Sequence, residues 1–141
     1  MPIAHGPFEV KLQALPTDAA REGIAFGRLS IDKQFLPGHA GGLQATSKGE
    51  MLSALTPVKG SAGYVAIEFV TGTLAGRSGT FALQHSGSMD RGQASLSVTV
   101  VPDSGTDGLQ GLRGQMKIVV DAGKHLYEFD YELPGETGET A

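Results

Sequence analysis

A glycine-marked hairpin recurs in this chain and limits its fold more than any other feature. The pattern of the second copy is Leu74-x-Gly76-x-x-Gly79-x-Phe81-x-Leu83, and it returns 35 positions later as Leu109-x-Gly111-x-x-Gly114-x-Met116-x-Ile118. A looser first copy is Leu43-x-Ala45 followed by Gly49-x-Met51. Each copy is typical of a strand that enters a tight turn and leaves it as a second, alternating strand. The repeating unit is therefore a pair of strands.

Composition supports an all-β domain and excludes several classes of function. The chain has 21 glycines in 141 residues, roughly twice the usual ~7%, placed between alternating segments. A net charge of −4 without a basic cluster argues against nucleic-acid binding. The absence of cysteine excludes disulfides and thiolate chemistry. No signal peptide and no apolar run of ~20 residues is evident, so we expect a cytoplasmic protein with neither a membrane nor a nucleic-acid partner.

Alternating segments divide the chain into eight predicted strands and a tail. A single helical turn is predicted over 17–22, and Gly27 is predicted to mark a bulge in the second strand. Residues 1–133 are expected to form one domain, and the acidic segment 134–141 a flexible tail. The predicted strands are 8–15, 23–35, 43–55, the two arms of the hairpin around Gly76, 94–101, one between 108 and 122, and 125–133.

Two short turns predict how neighbouring strands pair. A two-residue turn at Ala122-Gly123 places Lys117 opposite Glu128 and Ile118 opposite Tyr127, so that opposite charges share one face and apolar groups the other. A turn at Arg91-Gly92 likewise places His85 opposite Val98, Leu83 opposite Val100 and Ser86 opposite Ser97. Both registers are those expected of antiparallel neighbours.

Eight consecutive antiparallel strands leave two exposed edges unless the first pairs with the last. The matching patterns of Phe8-Val10-Leu12 and Tyr127-Phe129-Tyr131 predict that 8–12 is hydrogen-bonded to 125–133. The sequence thus predicts a closed eight-stranded antiparallel meander barrel. In such a barrel the turns after strands two, four and six share one rim, where the leucines of the repeat would act as plugs.

Three stretches of the sequence resemble a known bacterial family. GSAGYVAIEFVTGTLAGRSGTFALQHSGSMDRG, SLSVTVVPDSGT and KHLYEFDYELP are similar to the family called domain of unknown function 3224. That family is grouped with the allene oxide cyclase-like barrels, so the resemblance implies the same closed meander. Related cyclases fold a hydrophobic substrate inside the barrel and form oligomers. No catalytic motif of theirs matches position by position, so the resemblance implies no catalytic residue.

Polar groups on apolar strand faces are the candidates for a site. His85 lies in the row Phe81-Leu83-Gly87-Met89, and the face of Glu68 depends on the length of the turn at Gly76. A two- or four-residue turn places Glu68 beside His85, which would bury a carboxylate against an imidazole. A three-residue turn sends Glu68 outward, and apolarity favours this alternative because Val65, Ile67 and Phe69 would then line the core. The predicted ligand-binding residues are His85, Glu68, Tyr64, Met89, Tyr127 and Phe129.

No complete catalytic or metal-binding set is present in the sequence. The four histidines lie in separate segments, so neither a metal nor another cofactor is expected. Ser86, His85 and Asp90 cannot form a triad, because neighbouring residues of a strand point to opposite faces. We expect a barrel that binds a small hydrophobic ligand. The alternatives are a cyclase or isomerase acting on a hydrophobic substrate, and a filled barrel whose outer face forms a homo-oligomer.

Overall fold

The computed structural model describes residues 2–17, 23–38 and 42–135 and shows a closed barrel of eight antiparallel strands. Each strand pairs with the next, and β8 pairs with β1, as the sequence predicts. One 3-10 turn, Asp107–Leu109, interrupts the long connection between β6 and β7. The strands are β1 Ile3–Ala14, β2 Ala25–Phe35, β3 Leu43–Leu55, β4 Ala62–Leu74, β5 Arg77–Asp90, β6 Gln93–Val100, β7 Arg113–Asp121 and β8 Lys124–Glu132.

Three two-residue turns set three of the eight strand pairings, β4 with β5, β5 with β6 and β7 with β8. Both residues of Ala75-Gly76, Arg91-Gly92 and Ala122-Gly123 have positive φ, which is the hairpin turn whose twist matches that of the strands. The predicted registers are confirmed: Lys117 pairs with Glu128, and His85 pairs with Val98.

Closure of the barrel is confirmed, but a different part of the first strand makes it. Residues Ile3 to Pro7 pair with Asp130 to Leu126, whereas Phe8 and the residues after it pair with β2. The prediction that 8–12 pairs with β8 is therefore wrong. The strand starts earlier than the apolar alternation suggests, and its early part also packs closely on the segment after β2: a Cβ at Gly6 would lie 2.2 Å from the carbonyl oxygen of Leu36.

Two further expectations about local structure have different outcomes. The bulge predicted at Gly27 is wrong, because β2 and β3 pair without interruption from Phe26 through Arg28. The helical turn predicted over 17–22 lies, apart from Thr17, outside the described residues, as does the tail beyond residue 135. No helix of the described residues is long and apolar enough to cross a membrane.

One half of the barrel is filled with side chains. The leucines of the three repeat copies are buried in this half, as predicted for rim plugs, and Leu43 pairs directly with Leu74. Aromatic rings fill the space above them, with Phe81 stacked on Phe129 at 6.0 Å between ring centroids. This packed half consists mainly of Phe35, Leu43, Leu74, Phe81, Leu83, Leu109, Leu112, Met116, Tyr127, Phe129, Tyr131 and Leu133.

Candidate functional site

The other half of the barrel encloses a cavity of about 520 Å³. It opens at the end of the barrel where β3 and β5 end and β4 and β6 begin, and every strand contributes to its wall. A volume of this size is typical of a site for a small organic molecule. The wall is mostly apolar and includes Phe8, Val10, Leu12, Ile31, Met51, Leu55, Ala66, Met89, Leu96 and Ile118.

Three ionisable side chains meet at the inner end of this cavity. Lys33 of β2, Glu68 of β4 and His85 of β5 are only 7%, 0% and 4% exposed. The Nζ of Lys33 lies 2.9 Å from Oε2 and 3.4 Å from Oε1 of Glu68. The Nε2 of His85 lies 3.4 Å from the same Oε2. Lys33 and His85 line the cavity, whereas Glu68 lies behind them. We call these three residues the floor cluster.

The floor cluster holds its carboxylate in the charged form. Burial alone would raise the pKa of the Glu68 carboxyl, but the His85 imidazole and the Lys33 ammonium more than offset this, and the net shift is downward. The Lys33 ammonium also lies 5.1 Å from the ring centroid of Phe8 and 5.6 Å from that of Phe35. Aromatic faces at this distance stabilise a desolvated cation. The cluster is therefore a buried ion pair with an imidazole beside it.

His85 and Glu68 each have a buried polar atom without a hydrogen-bond partner among the described residues. These atoms are Nε2 of His85 and Oε2 of Glu68, and their 3.4 Å separation does not have hydrogen-bond geometry. A buried polar nitrogen without a partner costs about 1–3 kcal/mol. An oxygen of water or of a ligand in the cavity would remove that cost.

Tyr64 and Met89, both predicted to bind a ligand, line the cavity. The Tyr64 ring lies against Gly87, where a Cβ would come within 2.4 Å of Cε1 of the ring. Burial and, second, the nearby Glu68 carboxylate raise the pKa of the Tyr64 hydroxyl. Met89 is near the open rim and is half exposed. The glycine on β5 is thus what lets an aromatic ring form part of the wall.

Tyr127 and Phe129, also predicted to bind a ligand, do not line the cavity. Both are buried in the packed half, where Phe35 meets Tyr127 edge to face. The Tyr127 hydroxyl donates to the carbonyl oxygen of Leu36 at 2.7 Å and accepts from the Leu43 amide at 2.8 Å. It ties β8 to the loop between β2 and β3, which is a structural role.

The turn at Gly76 decides the orientation of Glu68. Because the turn has two residues, Glu68 pairs with Leu83, next to Ala66 and its partner His85, and all four face inward. The outward alternative, which apolarity favoured, is wrong: Phe69 is 66% exposed, and Val65 and Ile67 also face out. The sequence prediction also missed Lys33, although it falls in phase with the inward residues Ile31 and Phe35. No group of residues among those described could hold a metal ion.

The fold and the site together define a class: a closed antiparallel meander barrel, filled at one end and hollow at the other, with a buried ion pair between the halves. The sequence matches the family described as protein of unknown function (DUF3224) over residues 4–131. The chain belongs to this family.

A solved member of the family has the same fold. It is the 1.84 Å crystal structure of a protein with unknown function from the DUF3224 family of Shewanella oneidensis MR-1. The two chains are 49% identical, the alignment covers 94% of this chain and 97% of that one, and the TM-score is 0.88. No match was found among curated protein sequences.

Proposed function

We propose that the protein binds a small hydrophobic ligand in the hollow half of its barrel. One observation supports this above all others: an apolar cavity of about 520 Å³ ends at a polar floor instead of being filled by side chains. An eight-stranded barrel has room for either a packed interior or one small ligand. Here the packed half supplies stability, and the hollow half is free to bind.

Replacing His85 by Leu tests the site. The wall stays apolar and similar in size, so the fold should persist, while the polar contact at the floor is lost. We expect about tenfold weaker binding of a polar-tipped hydrophobic ligand, since one such hydrogen bond contributes about 1 kcal/mol or somewhat more. Calorimetry measures the affinity, and circular dichroism checks the fold.

Tyr127→Phe is the matched control for this experiment. It also removes a polar group from an inward-facing residue, but in the packed half. We expect it to lower stability and to leave ligand affinity unchanged. If His85→Leu is folded and binds as tightly as the wild type, the histidine is structural and the site assignment fails.

The second candidate function is a cyclase or isomerase, as in the related barrels that the sequence resembles. It is supported by the floor cluster, where an imidazole and an ammonium lie beside a buried carboxylate under an apolar cavity. An imidazole there is suited to remove a proton from the carbon next to a substrate carbonyl. The ammonium would stabilise the negative charge that develops on the carbonyl oxygen. Confinement by the apolar wall would add orientation.

Hydrogen exchange tests the isomerase candidate without knowledge of the substrate. An apolar ketone is incubated with the protein in heavy water, and deuterium uptake next to the carbonyl is followed by mass spectrometry. Enzyme function predicts uptake faster than in buffer and a large loss of rate in His85→Leu. If a ketone binds but takes up deuterium no faster than in buffer, the isomerase candidate is contradicted, and only the ligand-binding function is retained.

A further inference from the structure

We propose that the ligand is an uncharged molecule with an apolar body and a terminal carbonyl oxygen, and that Lys33 binds this oxygen. The inference rests on the proposed binding function and adds the chemical class of the ligand. It follows from the charges and the hydrogen-bond donors at the floor of the cavity.

The charges of the floor cluster already cancel. Lys33 and Glu68 form a buried pair with 2.9 Å between Nζ and Oε2. Among the described residues, the other ionisable side chains that line the cavity are Tyr64, His85 and His125, and none of them is a lysine or an arginine. A carboxylate head group would place a second anion beside Glu68, and Lys33, the one lysine or arginine among the described residues that line the cavity, is already paired with Glu68; burying an unpaired charge is very unfavourable. The cavity therefore favours a neutral ligand.

The Lys33 ammonium has more hydrogen-bond donors than the floor cluster uses. An ammonium has three N–H groups and no acceptor, and among the described residues the Lys33 Nζ has one hydrogen bond, to Oε1 of Glu68, beside its 2.9 Å ion-pair contact with Oε2. Lys33 lines the cavity, so the third N–H is available to an atom inside it. The group that completes this site must accept a hydrogen bond.

A carbonyl oxygen meets this need better than a hydroxyl. It accepts hydrogen bonds and brings no proton of its own, whereas a hydroxyl proton would also need an acceptor, and the Glu68 carboxylate does not line the cavity. Hydrogen bonds to charged donors are worth about 1.5–3 kcal/mol, which corresponds to roughly 10- to 100-fold in affinity. The apolar wall, from Val10 and Met51 to Leu96, surrounds the rest of the molecule.

A matched series of four compounds tests the ligand class: 2-decanone, 2-decanol, decane and decanoate. Each competes with the fluorescent dye Nile red for the wild-type protein at pH 8. We expect 2-decanone to displace the dye at a concentration at least about tenfold lower than decane does. Decanoate should be the weakest of the three oxygen-bearing compounds. Tighter binding of decanoate, or equal binding of ketone and alkane, would overturn the proposal.

The same experiment separates this inference from the function on which it rests. If the dye and all four compounds fail to bind, the proposed binding function is wrong. If the dye binds and is displaced by decane as readily as by the ketone, only the assignment of Lys33 and of the carbonyl is wrong.

A double variant links the ketone preference to Lys33. Lys33→Met/Glu68→Leu removes both charges, so that neither is left unpaired, and it should lose the preference for ketone over alkane while still binding decane. The control Arg28→Met/Glu50→Leu removes an exposed ion pair outside the barrel and should keep the preference. If Lys33→Met/Glu68→Leu still prefers ketone over alkane, the proposal is contradicted.

Infrared spectroscopy provides a readout that needs no variant. The carbonyl stretch of ¹³C-labelled 2-decanone bound to the wild type should lie at lower frequency than in an alkane solvent, because the ammonium polarises the bond. A bound ketone with the alkane-solvent frequency would show that its oxygen does not contact the floor cluster.

Discussion

Replacing Lys33 by Met should lower the free energy of unfolding by about 3–5 kcal/mol, the usual cost of breaking a buried ion pair. The substitution leaves the Glu68 carboxylate, which is 0% exposed, without the ammonium that lies 2.9 Å from it. Met is close to Lys in length and keeps the contacts of the Lys stem with the wall. The loss therefore reports the uncompensated charge and not a void.

Urea unfolding followed by circular dichroism at pH 7 measures this effect. The double variant Lys33→Met/Glu68→Leu removes both charges and should recover most of the lost stability, since apolar replacement of a buried pair is often neutral. Arg28→Met is the exposed counterpart: its pair with Glu50, at 2.8 Å, is solvated and should contribute little. If Lys33→Met is no less stable than Arg28→Met, the floor cluster is not a buried ion pair in solution.

The pair of Lys33 and Glu68 also predicts that the protein loses stability as the pH falls. The pKa of the Glu68 carboxyl is lowered in the folded protein: burial alone would raise it, but His85 and Lys33 more than offset that. A carboxyl with a lowered folded pKa contributes stability that is present above its unfolded value, about 4.5, and is lost as the pH falls through the folded pKa. In Lys33→Met this acid-side loss should become smaller. Equal acid-side slopes in both proteins would contradict the assignment.

The barrel and most of its registers were predictable because they depend on local rules. Strand alternation sets which face each side chain takes, and two-residue turns such as Ala122-Gly123 fix the pairing of their strands without further information. Closure followed from the need to pair two edges. The segment of β1 that pairs with β8 was predicted wrongly. The apolar alternation starts at Phe8, whereas the pairing is made by Ile3 to Pro7.

The site was harder to predict because it depends on where each inward-facing residue lies along the barrel axis, which alternation alone does not give. Alternation places Tyr127 and His85 on inward faces alike, but only the closed register shows that the first lies in the packed half and the second at the cavity. The orientation of Glu68 was misjudged for a different reason. Apolarity of β4 alone favoured Phe69 inward, whereas the cation that makes a buried Glu68 favourable comes from Lys33, 35 residues away.

The division into a packed and a hollow half predicts very different costs for two truncations. Phe129→Ala should lower the free energy of unfolding by about 3–5 kcal/mol, because it opens a void in a filled interior. The ring is fully buried, stacks on Phe81 at an interplanar angle of 11° and lies 5.5 Å from Tyr131 between ring centroids. Lost aromatic contacts add to the lost burial.

Met89→Ala, at the rim of the cavity, should cost much less, because this side chain is 42% exposed and borders space that is already empty. For ligand affinity we expect the larger effect at Met89 and the smaller one at Phe129. The conservative variant Phe129→Leu, chosen to remain folded, should bind Nile red as the wild type does, whereas Met89→Ala should bind it more weakly. Urea unfolding and dye titration on the same samples compare both quantities. If Phe129→Ala is no more destabilising than Met89→Ala, the two halves do not divide stability and binding between them.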